Sequence, residues 1–287
     1  TVELLEEDER EMVKGLIINK FRGDKTILDP GIVMLEERGG IPVVGVTPYM
    51  QVEIEDEDSL TERFDRHQEV GVIDMAVIRV PRISNFTDFN PFESIPGVSL
   101  RYVQHPSDLK QPDVIFLPGT KNTMEDLLWM RANGLEAAVL KEAARGKIIF
   151  GICGGYQMLG ENLSDPHGVE AGGTMRGIGL LPVDTVFAEH KTRTQVCGKF
   201  LELDEEFAPL KNVEFTGYEI HMGVTTLHEG ASPLTAIRDH ATTTQEKQDG
   251  AYRSRVYGTY VHGVFDKEGV AEAVIRALGR KKGIDTT

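Results

Sequence analysis

Cysteine, tryptophan, basic charge and long apolar runs are all scarce in this sequence. Its 287 residues contain two cysteines, Cys153 and Cys197, and one tryptophan. Two thiols make no disulfide framework, and such sparse usage fits a reducing compartment. No stretch approaches the roughly 20 apolar residues of a membrane-spanning helix, and no signal peptide is recognisable, so a cytoplasmic protein with no membrane partner is expected. The 31 Lys and Arg are outnumbered by 46 Asp and Glu, for a net charge of −15. That balance argues against nucleic acid as a partner. The acidic clusters in residues 1–11 and in Glu53–Asp58 read as solvated surface. Neither has ligand-like spacing, so no metal site is expected. The phosphate-binding pattern Gly-x-x-x-x-Gly-Lys-Ser/Thr is also missing, since Gly23-Asp-Lys-Thr26 is too short and lacks the first glycine. Repeats, heptads and low-complexity tracts are missing too. The chain does not begin with Met and opens in a charged helical stretch, so a piece of a longer polypeptide is expected.

What remains is an α/β rhythm. Residues 13–21 read as a buried strand, Ile27–Arg38 as a helix with Pro30 in its first turn, and 41–46 as a second strand. One such unit cannot cover both faces of a parallel sheet, so the rest of that sheet must lie elsewhere. Ligands of open parallel sheets sit at the carboxyl ends of strands, which makes Asn19 and Arg22 candidate nucleotide-binding residues. The acidic stretch 51–70 is expected to hold a domain boundary, separating a unit of residues 1–60 from one of 71–281. Strands are predicted at 73–80, 98–103, 113–117 and 147–150. Helices are predicted from Met124, with Thr123 as N-cap, and over 135–144. From Gly179 alternating patterns predict a more antiparallel region, packed onto or extending the sheet, before a closing helix at 267–278. The fold class expected is α/β, with a mixed, mostly parallel sheet flanked by helices.

The stretch on which function turns is Phe150-Gly-Ile-Cys153-Gly-Gly-Tyr-Gln157. A strand reversing into a helix forces its corner residue into a strained conformation, and neighbouring glycines let the backbones approach. This is the logic of a nucleophile elbow, here with cysteine as nucleophile. Free N–H groups and the positive end of a helix favour the thiolate. A thiol nucleophile needs a base, and His262, in Tyr257-Gly-Thr-Tyr-Val-His262-Gly, is delivered by a buried-type strand into a glycine turn. Glu219 and His221 share one strand face by alternation. Acyl transfer also needs oxyanion donors, which the amide of Gly154 and the Pro118-Gly119-Thr120 loop would supply.

Those residues resemble the class I (triad) glutamine amidotransferase domain. In finer detail the chain resembles the cobyric acid synthase family, through Pro81–Phe89, Ser99–Val103, Leu117–Thr123, Gly217–Gly223 and Gly258–Asp266. Asn19–Asp24 resembles the tail of that family's ATP-dependent synthetase domain, and Asn85–Phe89 favours this family over the a,c-diamide synthases. The resemblance implies a flavodoxin-like amidotransferase core preceded by a partial P-loop-type (dethiobiotin synthetase-like) domain. It implies a glutamine- and ATP/Mg²⁺-dependent ligase acting on a corrinoid, adenosylcobyrinic acid a,c-diamide. The amidotransferase domain itself would bind no cofactor. Cys153 would be the nucleophile, His262 the acid and base, and Gln157 a residue that helps hold glutamine. Triad enzymes usually place an acid two residues after the histidine, where this chain has Val264. Glu219 and Asp266 are therefore the candidates to orient His262. Arg79, Arg82 and Arg101 are candidates for the corrinoid carboxylates. Two alternatives stay open: a related glutaminase such as an a,c-diamide synthase, and a degenerate amidotransferase serving as a scaffold.

Overall fold

The continuous apolar runs form the middle of a six-stranded sheet in the computed structural model, which describes residues 2, 5–48, 71–203, 205–239, 246–267 and 269–284. The strand order is Ala251–Arg253, Val256–Thr259, Ile148–Ile152, Val114–Leu117, Ile73–Ile78, Val98–Val103. All neighbours are parallel except the Ala251–Arg253 edge strand. Every residue of the four strands between the two edges is buried, as parallel strands covered on both faces require. Helices Thr123–Asn133, Leu135–Ala144 and Val270–Lys282 accompany the sheet. Phe89, Phe92, Phe116, Phe150 and Phe265 interlock in the core, with Phe89–Phe116 centroids at 4.9 Å and Phe150–Phe265 at 5.2 Å. This is the expected α/β class.

The antiparallel region forms a separate sheet of seven strands. Its two longest members, Val183–Phe200 and Glu214–Leu227, pair antiparallel with a register irregularity between Phe187 and Thr192. The antiparallel region expected from Gly179 thus includes one 18-residue strand with an interruption in its pairing. The two-residue strand Val261–His262 closes one edge of this sheet, while Val256–Thr259 belongs to the first. His262 therefore lies where the chain passes from one sheet to the other.

Local signals explain the element ends that differ from expectation. Asn122, not Thr123, caps its helix, with the Asn122 side-chain oxygen accepting from Glu125 N at 2.9 Å. Thr123 is the first helical residue, and its hydroxyl turns inward.

The chain divides into two compact units, Thr1–Glu55 and Asp56–Thr287. In the first, Leu16–Phe21 pairs parallel with Val43–Pro48, and helix Lys25–Gly39 connects them. Asp24 caps that helix by accepting from Thr26 N, so it starts two residues early and Pro30 lies inside it. The strand is not buried as predicted, since Ile17 is 66 % exposed, and Val44 on its partner strand is 65 % exposed. Glu53–Asp58 and the boundary predicted within 51–70 fall outside the described residues.

Candidate active site

Cys153 stands between strand Ile148–Ile152 and helix Gly154–Leu159 with φ 51° and ψ −108°. Such a backbone costs a residue with a side chain of order 1–3 kcal/mol and persists only where the surroundings enforce it. They do so here. A Cβ on Gly155 would lie 2.0 Å from the Leu117 carbonyl oxygen, so only glycine lets the helix press onto the neighbouring strand. The Cys153 amide donates to Thr259 O at 2.8 Å, and its Sγ contacts Ile220 O at 3.7 Å. Gly154 and Gly155 open the helix, whose first N–H groups have no intrahelical acceptor.

His262 pairs with Tyr218 across the second sheet, and its side chain is 1 % exposed. Its Nδ1 meets Asp88 Oδ2 at 2.8 Å, while Asp88 Oδ1 accepts from Gly263 N at 2.8 Å. Asp88 is equally buried, within the 3₁₀ turn Phe86–Phe89. A carboxylate on Nδ1 leaves Nε2 as the nitrogen free to serve the Cys153 sulfur, which lies within hydrogen-bonding reach of the ring. Burial opposes a charged imidazole, but the Asp88 carboxylate outweighs it, Cys153 adds to the effect, and the His262 pKa is pushed up to about 10. An imidazolium beside the sulfur stabilises negative charge there. The elbow, the base and the carboxylate form a Cys–His–Asp arrangement.

Asp88, not Glu219 or Asp266, is thus the acid on the imidazole. The Glu219 side chain, 3 % exposed, lies 2.7 Å from Lys247 Nζ and 3.5 Å from His221 Nε2. Strand alternation explains this: Tyr218 stacks on His262, so Glu219, the next residue of the strand, and His221 lie on the other face. Asp266 lies near Gly263, its Oδ2 2.8 Å from where a Gly263 Cβ would be. Val264, two residues after the histidine, is fully buried in the core. A signal for Asp88 did exist. A lone acid between Phe86 and Phe89 in an apolar turn must find a partner when buried.

The other predicted residues fall around this group. A Cβ on Gly119 would stand 2.8 Å from His262 Cε1, so the Gly119 backbone packs directly on the imidazole. Gln157 is buried one turn after Cys153; its Oε1 accepts from Thr123 Oγ1 at 2.9 Å and its Nε2 donates to Tyr260 Oη at 3.2 Å. Arg101 forks onto Asp74 at 2.7 and 2.8 Å, and Arg82 reaches Asp126 at 3.0 Å, which ties two of the three predicted corrinoid arginines to internal carboxylates. In the first unit Asn19 Oδ1 accepts from Lys20 N at 2.9 Å, and Asn19 and Arg22 are exposed at the carboxyl end of their strand. The described residues there build no cradle for a triphosphate, and the sequence supplies no phosphate loop, so they do not fit a nucleotide site by themselves.

Residues 74–270 match the CobB/CobQ-like glutamine amidotransferase domain. The chain belongs to this family. It is 54 % identical over 286 residues to a protein of Ruminiclostridium cellulolyticum named cobyric acid synthase, covering 99 % of this chain and 56 % of that one. It is 50 % identical over 299 residues to a cobyric acid synthase of Lachnoclostridium phytofermentans, covering 99 % and 58 %. The chain therefore spans little more than half the length of these relatives. Among solved structures, PurLQS from Thermotoga maritima superposes with a TM-score of 0.53 at 17 % identity, covering 73 % of this chain and 99 % of that chain. That likeness concerns the fold alone. No helix among the described residues is long and apolar enough to cross a membrane.

Proposed function

We propose that this chain is the glutamine-hydrolysing part of a cobyric acid synthase. The reading rests on the family membership, and the observation that carries it is the Cys153–His262–Asp88 geometry. In this reading Cys153 Sγ attacks the side-chain carbonyl carbon of glutamine, and the Gly154 amide donates to the oxygen that becomes negative. His262 Nε2 gives its proton to the departing nitrogen, so ammonia leaves and a γ-glutamyl thioester remains. The same nitrogen then takes a proton from water, whose oxygen attacks the thioester carbonyl; glutamate leaves and the sulfur is regenerated. Asp88 holds the Nδ1 proton throughout, which keeps Nε2 aimed at the sulfur.

The remaining assignments belong to the full-length enzyme. The ammonia would amidate carboxylates of adenosylcobyrinic acid a,c-diamide in a synthetase half. ATP and Mg²⁺ would supply carboxylate activation there, with Asn19 and Arg22 at the border of that half. A cytoplasmic location goes with this biosynthetic role. Ammonia release from glutamine, measured with ATP, Mg²⁺ and corrinoid on the full-length protein, tests the reading. Turnover should vanish in Cys153→Ala, and turnover that survives the substitution rejects it.

A further inference from the structure

The turn that carries Asp88 delivers a second side chain to the same place. Asn85, held at φ 52° and ψ 36°, donates its amide Nδ2 to Tyr218 Oη at 2.6 Å. A left-handed backbone in a residue with a side chain marks a position its surroundings enforce. The Tyr218 ring lies against the His262 ring, with centroids 5.4 Å apart and planes at 26°. Tyr218 is only half-buried, and it lines a cavity of about 730 Å³ with Arg193, Gln195, Glu219, Ile220 and Asp266. The main-chain carbonyl of Ile220, one of the lining residues, contacts Cys153 Sγ at 3.7 Å. Asn85 occupies the phenolic oxygen as an acceptor, and among the described residues the phenolic hydrogen has no acceptor of its own. Burial and the Asp88 carboxylate push the phenol up, so it is protonated at neutral pH.

We propose that Tyr218 is a specificity-determining residue of this site, closing the wall beside His262 and donating its phenolic O–H to the bound amide substrate. Asn85 is its positioning residue, since the amide bond to Oη fixes the oxygen about which the hydrogen turns. This inference rests on the glutamine reading above. A ring kept only for packing would behave identically without its hydroxyl; a ring that donates to substrate would not.

The test compares alkylation of Cys153 by a glutamine-shaped chloroketone and by iodoacetamide, which has no amino-acid head. In the parent the chloroketone should react faster by virtue of binding, with saturation. Tyr218→Phe keeps the ring and the stack, so iodoacetamide should react at the parental rate, while half-saturation by the chloroketone rises about 5- to 10-fold for one lost hydrogen bond. Asn85→Ala should shift chloroketone half-saturation in the same direction by less. Unchanged half-saturation in Tyr218→Phe overturns the inference while leaving the glutamine reading intact. A parent that shows no preference for the chloroketone overturns the glutamine reading and this inference with it.

Discussion

Asp88 and His262 stand 174 residues apart in the chain and 2.8 Å apart in space, and between them they decide which way the imidazole faces. The carboxylate sits on Nδ1 and also holds the amide of Gly263, so it fixes both the ring and the turn behind it. The usual triad draws its acid from just after the histidine. Here a turn packed on the first sheet supplies it instead.

This pair predicts a dependence of stability on pH. Folding raises the His262 pKa from 6.5 to about 10, so its stabilisation is complete below pH 6.5 and is lost as pH climbs through 10. Thermal melts of the parent should therefore lose stability across that window, relative to Asp88→Asn, in which the imidazole no longer gains a charged partner. Parallel melting curves for the two proteins from pH 6.5 to 10 would contradict the assignment.

Gly119→Ala places a methyl 2.8 Å from His262 Cε1. The ring must move, and the imidazole then leaves its line to the sulfur. Glutaminase activity should fall about 10²-fold, the scale of a misplacement of about 1 Å, with kcat carrying the loss. Steady-state kinetics on a variant that still melts cooperatively would show it.

Gly155→Ala meets backbone rather than a side chain, at 2.0 Å from Leu117 O. No rotamer relieves this contact, and the elbow must open. Destabilisation of about 1–3 kcal/mol or more is expected in urea titration, together with loss of activity.

Glu219→Gln should behave in the opposite way. Burial opposes the Glu219 charge, but His221 and Lys247 outweigh it and hold the carboxyl below the ordinary range. Its contribution is present above pH 4.5 and is lost as pH falls through the lowered value. The variant should lose about 1 kcal/mol at neutral pH, less in acid, and keep its glutaminase rate. Chemical denaturation at pH 7 and at pH 4 separates these outcomes.

The elbow was readable because its requirements are local. Gly151, Cys153, Gly154 and Gly155 each answer a steric demand within a few residues, and the strand and helix on either side carry their own periodicity. His262 was readable for a similar reason, from a buried strand ending in glycine. Asp88 was legible only as an acid in an apolar turn, because nothing near it in sequence names its partner. The Asn85–Phe89 stretch was visible as a family resemblance, but its chemistry appears only when the two sheets meet. Glu219 misled through a correct reading of alternation, since the strand face it shares with His221 is opposite to that of Tyr218, which stacks on His262. In the first unit the strands and helix were legible, but burial was not. Exposed Ile17 and Val44 show that hydrophobic pattern reports the tendency to be covered, not the presence of a cover.

The central claim is that Asp88 is the acid of the site. Ammonia release from saturating glutamine by the full-length protein, compared among parent, Asp88→Asn and Glu219→Gln, tests it most directly. The account predicts a fall of about 10²–10⁴-fold in Asp88→Asn, the usual range for losing an oriented acid–base group, and a near-parental rate in Glu219→Gln. A parental rate in Asp88→Asn, with the loss appearing in Glu219→Gln, would contradict it.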